Sequence, residues 1–356
     1  MTSSTPISFS SSSLYNDSIP SHRFNTIYHI EQCTHIINSQ IRGSNLEHIV
    51  ANNLDKFLEM YSEKSPHQLQ RTITIETNKL KLLSLKNEIK SNKKDLARLT
   101  SCSAPHASLF LTSIPTSPDL SISDVDFRLA IMYRLHLYPY PDDHTNPNPT
   151  CYLCKAAMRD NPYHILECLL ENNVGRTDQH NQVEALVQRA AKEANCRVRY
   201  QPIQLQGNNQ QQRLDLIIEM PDTQLLVDIS GVSPTCSSYI DKSSKTPLAI
   251  ALMRERNKKN KYESIAIKHN IEVVPFIFET YGGIAPQAIQ LLKKLNSYYM
   301  ANHPCESAQH FFFNTLSKIS VAIQRHNAVM IRNSFIRSRA QENFNLMIIV
   351  MHNFEL

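Results

Sequence analysis

The chain has 356 residues, enough for one large domain or two modest ones, and 41% of them are hydrophobic, enough for a core. Six glycines and no tryptophan argue against a glycine-rich phosphate loop as the main device, and a net charge of +5 is compatible with a nucleic-acid surface without establishing one. Eight cysteines, three of them clustered at 151, 154 and 168, form no disulfide framework for a chain of this size, which favours a reducing compartment.

Residues 1–25 are rich in Ser and Thr, lack apolar periodicity and read as a disordered tail. They have neither the basic start nor the sustained apolar stretch of a secretory signal, and the late run LMIIVM at 346–351 is too short to span a bilayer. The expectation is a soluble intracellular protein, nuclear or otherwise, that is not secreted and has no membrane partner. Residues 26–145 read as a helical, partly low-complexity region. A better helix begins near Thr77, where Leu82, Leu85, Ile89, Asn92, Leu96 and Leu99 make a short heptad-like seam with Asn92 on it. One helix packing on its own domain is the simpler account, and self-association through residues 77–100 is the alternative. Ser123 is placed to cap a helix carrying Phe127, Ile131 and Leu135. The loop that follows contains YPDD at 140–143, which resembles the Tyr-x-Asp-Asp signature of reverse transcriptases. Pro139, Pro141, Pro147 and Pro149 surround it and exclude the tight hairpin that the signature needs, so it reads as a surface loop.

Residues 146–175 hold Cys151-x2-Cys154-x9-His164-x3-Cys168. A Cys-x2-Cys turn brings two thiolates to one metal, and His164 and Cys168, four apart after Pro162, share a helix face and can add two more ligands. Four soft or borderline donors with no open position describe a closed structural Zn²⁺ site. The plainer alternative is three core cysteines and a surface histidine.

After residue 178 the pattern becomes regular. A helix over about 179–194 precedes strands near 197–203, 213–219 and 224–230. A helix over about 247–269, a strand at 271–279 and a helix over about 285–300 complete an α/β layer with a mixed sheet. The final stretch, 304–356, reads as one or two basic amphipathic helices. Within the hairpin, a turn centred on Pro221 and Asp222 makes opposed positions sum to 443, so Asp215 faces Asp228 with Cβ atoms roughly 5 Å apart. Like charges opposed in a sheet repel, and such a pair calls for a cation, Mg²⁺ or Mn²⁺ by the hardness of its oxygens. The alternative is two acids on a solvated face, although Asp228 sits in the apolar run LLVDISGV.

The Cys-Cys-His-Cys module, then QHNQVEAL, then Leu-Asp and Asp across a hairpin in an αβββαβ order, resemble the restriction-endonuclease-like domain of site-specific non-LTR retrotransposons. That domain belongs to the PD-(D/E)xK nuclease superfamily. The flanking text, DLARLTSCSAPHASLFLTSIP, KKNKYESIA, VPFIFETYGG and ISVAIQRHNAVMI, resembles the C-terminal segments of reverse-transcriptase reading frames and their stand-alone relatives. The likeness covers about residues 95–335, with residues 176–303 as the nuclease-like core. It implies a Mg²⁺-dependent DNA endonuclease with Asp215 and Asp228 on the metal, His180 and Asn181 in the motif before the sheet, and Glu184 completing the metal shell.

Leu214 stands where the motif has Pro, and Ser230 where it has the Lys that orients water and stabilises the phosphorane. The resemblance therefore implies a displaced lysine, Lys259 first and Lys245 second, with Arg254, Arg256, Lys258, Lys261 and Tyr262 left for nucleic-acid contacts. DNA is the expected partner, with RNA or an RNA–DNA hybrid as alternatives. A degenerate nucleic-acid-binding protein that keeps the fold, and a helix-mediated interaction protein, are the competing functions.

Overall fold

The computed structural model describes residues 66–139, 149–168, 174–199, 215–304 and 307–354. The chain divides after Glu88: helix α1 (Pro66–Glu88) belongs to the first part, and every other described element to the second, residues 89–356. The expected tail at 1–25 and the YPDD loop at 140–143 lie outside the described residues.

The continuous seam expected over 77–100 is interrupted. α1 stops at Glu88, and α2 (Lys93–Cys102) starts afresh with Asn92 as its N-cap. Asn92 Oδ1 accepts from the backbone N–H groups of Lys94 and Asp95, both at 3.1 Å, while its Nδ2 donates to Asp95 Oδ2 at 2.7 Å. A short polar side chain that satisfies two orphan amides of a helix start is better used there than on an apolar stripe. The heptad spacing ran across a cap.

After the single turn α3 (Leu109–Thr112), Ser123 caps α4 (Asp124–Leu135) as expected, its Oγ accepting from Asp126 N–H at 3.2 Å. The phase of α4 differs from the expectation. Its buried residues are Asp126, Leu129, Ala130 and Tyr133, whereas Phe127 and Leu135 are exposed. Tyr133 sets that phase: its ring stacks on Tyr281 at 4.5 Å and its hydroxyl donates to Thr280 Oγ1 at 3.0 Å.

The mixed α/β core then follows in the expected order. α5 (Val174–Glu193) leads into β1 (Arg197–Arg199), β2 (Leu216–Glu219) and β3 (Gln224–Val232). Short α6 (Ile240–Ser243) and long α7 (Ala249–His269) connect β3 to β4 (Glu272–Glu279), and α8 (Pro286–Asn302) follows. The four strands form one sheet in the order β1-β2-β3-β4, antiparallel except for the parallel pair β3–β4. Leu216 opposes Val227 and Glu219 opposes Gln224, the register that the Pro221–Asp222 turn dictates. β4 is an edge strand, so Pro275, which brings no N–H, costs the ladder little there.

Alternation along the strands sorts the side chains into two layers. Leu216, Ile218, Leu225, Val227, Ile229 and Phe276 pack with residues of α5 and α8. Leu226 and Val273 face the other way, under Tyr262 and Ile265 of α7.

The C-terminal stretch is a single helix, α9 (Ala308–Phe354), and much of it is interior rather than a basic appendage. Leu316, Ile319 and Ile323 join the sheet core, and Ala328, Ile331 and Phe335 join the core around Cys151 and Cys168. Its buried amides are tied down: Gln324 and Asn327 both donate to the Thr280 carbonyl, at 3.1 and 2.6 Å. Two of its arginines also turn inward, Arg325 to the carbonyls of Pro118 and Ser121 and Arg332 to Asp126. Among the described residues, no helix is long and apolar enough to cross a membrane.

Candidate functional site

Among the described residues, two groups of side chains converge closely enough to hold a metal ion. The first is the cysteine module. Thr150 bridges Ala157, Cys151 N–H donates to the Ala156 carbonyl at 2.8 Å, and Lys155 turns the chain in the left-handed region at φ 63°. This tight reversal brings Cys151 and Cys154 together. His164 and Cys168 return not on an α-helix but through a 3-10 turn, His164–Leu166. The donor atoms of Cys151, Cys154, His164 and Cys168 all lie within 4.8 Å of one another, with Cys154 Sγ 2.9 Å from His164 Nε2. Burial pushes the Cys151 thiol up to about 11. Burial also acts upward on Cys154, but the Ala156 N–H and the neighbouring thiols outweigh it and lower that pKa. Three sulfurs and one imidazole in this arrangement can hold a metal such as zinc.

The second group lies at the sheet. Asp215 immediately precedes β2, and its Oδ2 accepts from the Ile229 N–H at 2.6 Å and lies 3.2 Å from His180 Nε2. His180 Nδ1 is 3.7 Å from Glu184 Oε2, one turn along α5. The hydrogen bond with Asp215 raises the His180 pKa against the opposing effect of burial. His180, Glu184 and Asp215 thus form a tight set with donor atoms within 4.8 Å. Asn181 meets only the far side of the ring, at 3.4 Å.

Asp228, one residue before Ile229, is not a member of that set. It is 3% exposed and turns to α7. Lys258 Nζ stands 2.9 Å from its Oδ1 and 2.7 Å from its Oδ2, and the Tyr262 hydroxyl donates to Oδ1 at 2.8 Å. The ammonium is aligned for a hydrogen bond to Oδ1 alone. Oδ2 is therefore a buried carboxylate oxygen with a charge beside it and no aligned donor. The expected metal pair is divided: Asp215 gathers with His180 and Glu184, and Asp228 with Lys258 and Tyr262.

The lysine also differs from the expectation. Lys259 is exposed on the Glu255 side of α7, and Lys245 is exposed near Asp241. Lys258, assigned from sequence to nucleic-acid contacts, is the one at the acid. A signal for it was present. Ala251, Glu255, Lys258, Tyr262 and Ile265 are spaced 4-3-4-3, a single helix stripe, and the other four are buried. Of the remaining basic residues, Arg256 is exposed, Lys261 lies over the Tyr262 ring at 4.9 Å, and Arg254 faces a cavity.

No protein-family model matches the sequence, and no curated protein is found to resemble it.

Proposed function

We propose that this chain is a metal-dependent DNA endonuclease of the PD-(D/E)xK type, of retrotransposon origin, with zinc ordering its Cys3His module. The observation that carries the reading is the adjacency of two groups. The set His180, Glu184 and Asp215 is joined through the Asp215–Ile229 hydrogen bond to the residue after Asp228, which holds Lys258. Acids for a cation and an ammonium for a phosphate thus come from α5, β2, β3 and α7 of one αβββαβ order.

His180, Glu184 and Asp215 would hold the cation, and the imidazole among them suits Mn²⁺ better than Mg²⁺. A bound divalent ion supplies Lewis-acid charge and an activated water. Asp215 is oriented by the Ile229 amide and by His180. Lys258, fixed by Asp228, brings the positive charge that Ser230 cannot, where charge develops on the phosphate. Exposed Arg256 and Lys261 supply contacts to the strand backbone.

The test is nicking of supercoiled and branched DNA with Mn²⁺ or Mg²⁺. Asp215→Asn and Lys258→Met are expected to lower the rate by roughly a hundredfold, the scale of removing one charge-stabilising group. DNA binding should persist, and Lys259→Met should nick normally. One observation favours a second reading, in which cleavage has been lost and binding kept: Asp228 is almost wholly enclosed and already neutralised by Lys258. Binding without nicking in either metal would select it.

A further inference from the structure

A cavity of about 190 Å³ adjoins the acid set, reached from it through His180, which lines both. It lies at the C-terminal ends of the parallel strands β3 and β4, beside the first two turns of α5 and the second turn of α7, the kind of crevice where open α/β sheets take ligands. Its walls include Arg176, His180, Gly231, Cys236, Tyr239 and Arg254. Among the described residues, no carboxylate lines it.

Two features suit the wall to an anion. Arg254 Nε is buried and has no hydrogen-bond partner, an arrangement that is costly unless something outside the chain accepts from it. Arg176 is steered from the other side, one of its terminal nitrogens donating to the Leu166 carbonyl at 2.6 Å. The acid whose charge is felt at Cys236, Glu167, is engaged elsewhere, 3.0 Å from Lys94. Between the arginines lies Gly231, where a side chain would place its Cβ 2.9 Å from the Phe278 ring, so the glycine makes room for that ring.

We infer that this cavity binds one phosphate group, held by Arg176, Arg254 and His180. Planar guanidinium groups from two helices match the oxygens of a phosphate better than a single carboxylate would. The source of that phosphate is either a nucleic-acid strand, by its 5′ end, or the free anion. The first source rests on the nuclease reading above. The pocket itself does not, because its two arginines, Arg176 and Arg254, are not metal donors and only His180 is shared between the two sites.

The experiment measures binding of inorganic phosphate, and of 5′-phosphorylated and 5′-hydroxyl duplexes of the same sequence, to the full chain without divalent metal. Arg254→Gln and Arg176→Gln are expected to weaken phosphate binding by roughly tenfold each, the scale of one charge-assisted hydrogen bond. Arg254→Lys should recover part of it, and Lys245→Met, an exposed position outside the cavity wall, should bind as the parent does. Thermal melting of each variant establishes that it is folded. Preference for the phosphorylated duplex assigns the pocket to a strand end. Equal duplex binding, with inorganic phosphate still bound through Arg254, assigns it to the free anion. Phosphate binding that is absent, or indifferent to both arginines, overturns the inference even if the chain nicks DNA. Phosphate binding by a chain that never nicks overturns only the nuclease reading.

Discussion

The cysteine module and the acid site place chemically suitable donors within reach of one another by different routes. The four zinc-type donors come from one short stretch, and their meeting depends on a tight turn and a 3-10 turn. The acid site draws on α5, β2, β3 and α7, and its two aspartates, opposed by register, end up with different partners. Local spacing constrains which atoms can meet because few bonds separate them. A long-range site depends as well on which face each helix turns to the sheet, and an error of one helix position exchanges Lys258 for Lys259.

The largest expected effect tests the first half of that contrast. Chelation, or Cys168→Ser, should release one zinc per chain, read by elemental analysis, and lower the thermal melting point. Structural zinc contributes about 10 kcal/mol or more in isolated fingers. Here Met158, Ile165 and Leu166 pack with Phe335 of α9, so the module keeps a core of its own and the loss should be smaller. An unchanged melt after chelation would reduce the cluster to three core cysteines and a histidine.

The second half is broken or sharpened by Lys258. Lys258→Met leaves Asp228 buried without its counter-charge, and removing one partner of such a pair costs about 3 kcal/mol or more. Lys259→Met, at an exposed position, should change stability by less than about 0.5 kcal/mol. Urea unfolding of the two variants separates them, and Asp228→Asn with Lys258→Met should recover much of the loss. Equal losses in the two single variants would refute the assigned helix phase.

The order of elements and the hairpin register were legible because turn chemistry and strand alternation act over a few residues. Pro221–Asp222 set the pairing, and Leu216, Ile218 and Val227 declared their face. Helix phase was less legible. Phe127, Ile131 and Leu135 have sound apolar spacing, yet Tyr133 decides which side of α4 is buried, through contacts with residues 280 and 281. The inward role of α9 was hidden by its arginines, which read as a solvated face although Arg325 and Arg332 bond within the chain.

A third sheet acid sharpens the description of Asp228. Glu279 closes β4 at 1% exposure, and no cation among the described residues pairs with it; Ser101 Oγ donates to its Oε2 and the Ala251 backbone to its carboxylate. Burial raises its pKa, against those hydrogen bonds. A carboxyl whose folded pKa is raised contributes stability that is fully present below the unfolded value of 4.5 and is lost as pH rises through the folded value. Glu279→Gln, which keeps the shape and an accepting oxygen, should therefore match or exceed the parent at neutral pH and flatten the rise in stability on acidification. No counter-charge is stranded, so the change should be smaller than for Lys258→Met. A variant markedly less stable than the parent at neutral pH would mean that Glu279 is ionised and paired as Asp228 is.

The smallest effect concerns a local pattern that misled, the counterpart of the local pattern at the cysteines. Asn92 falls on a heptad-like seam and also has the composition of a cap, and the two roles respond oppositely to one substitution. If the seam were continuous, Asn92→Leu would complete it and stabilise the helix. As the N-cap of α2, Asn92 satisfies the amides of Lys94 and Asp95, so Asn92→Leu and Asn92→Ala should each cost about 1 kcal/mol. Asn92→Asp, which keeps an accepting oxygen beside the helix start, should cost least, although it gives up the bond to Asp95 and adds a like charge there. Denaturant unfolding of the three variants reads the sign directly. A stabilised Asn92→Leu would restore the uninterrupted helix and, with it, the case for self-association through residues 77–100.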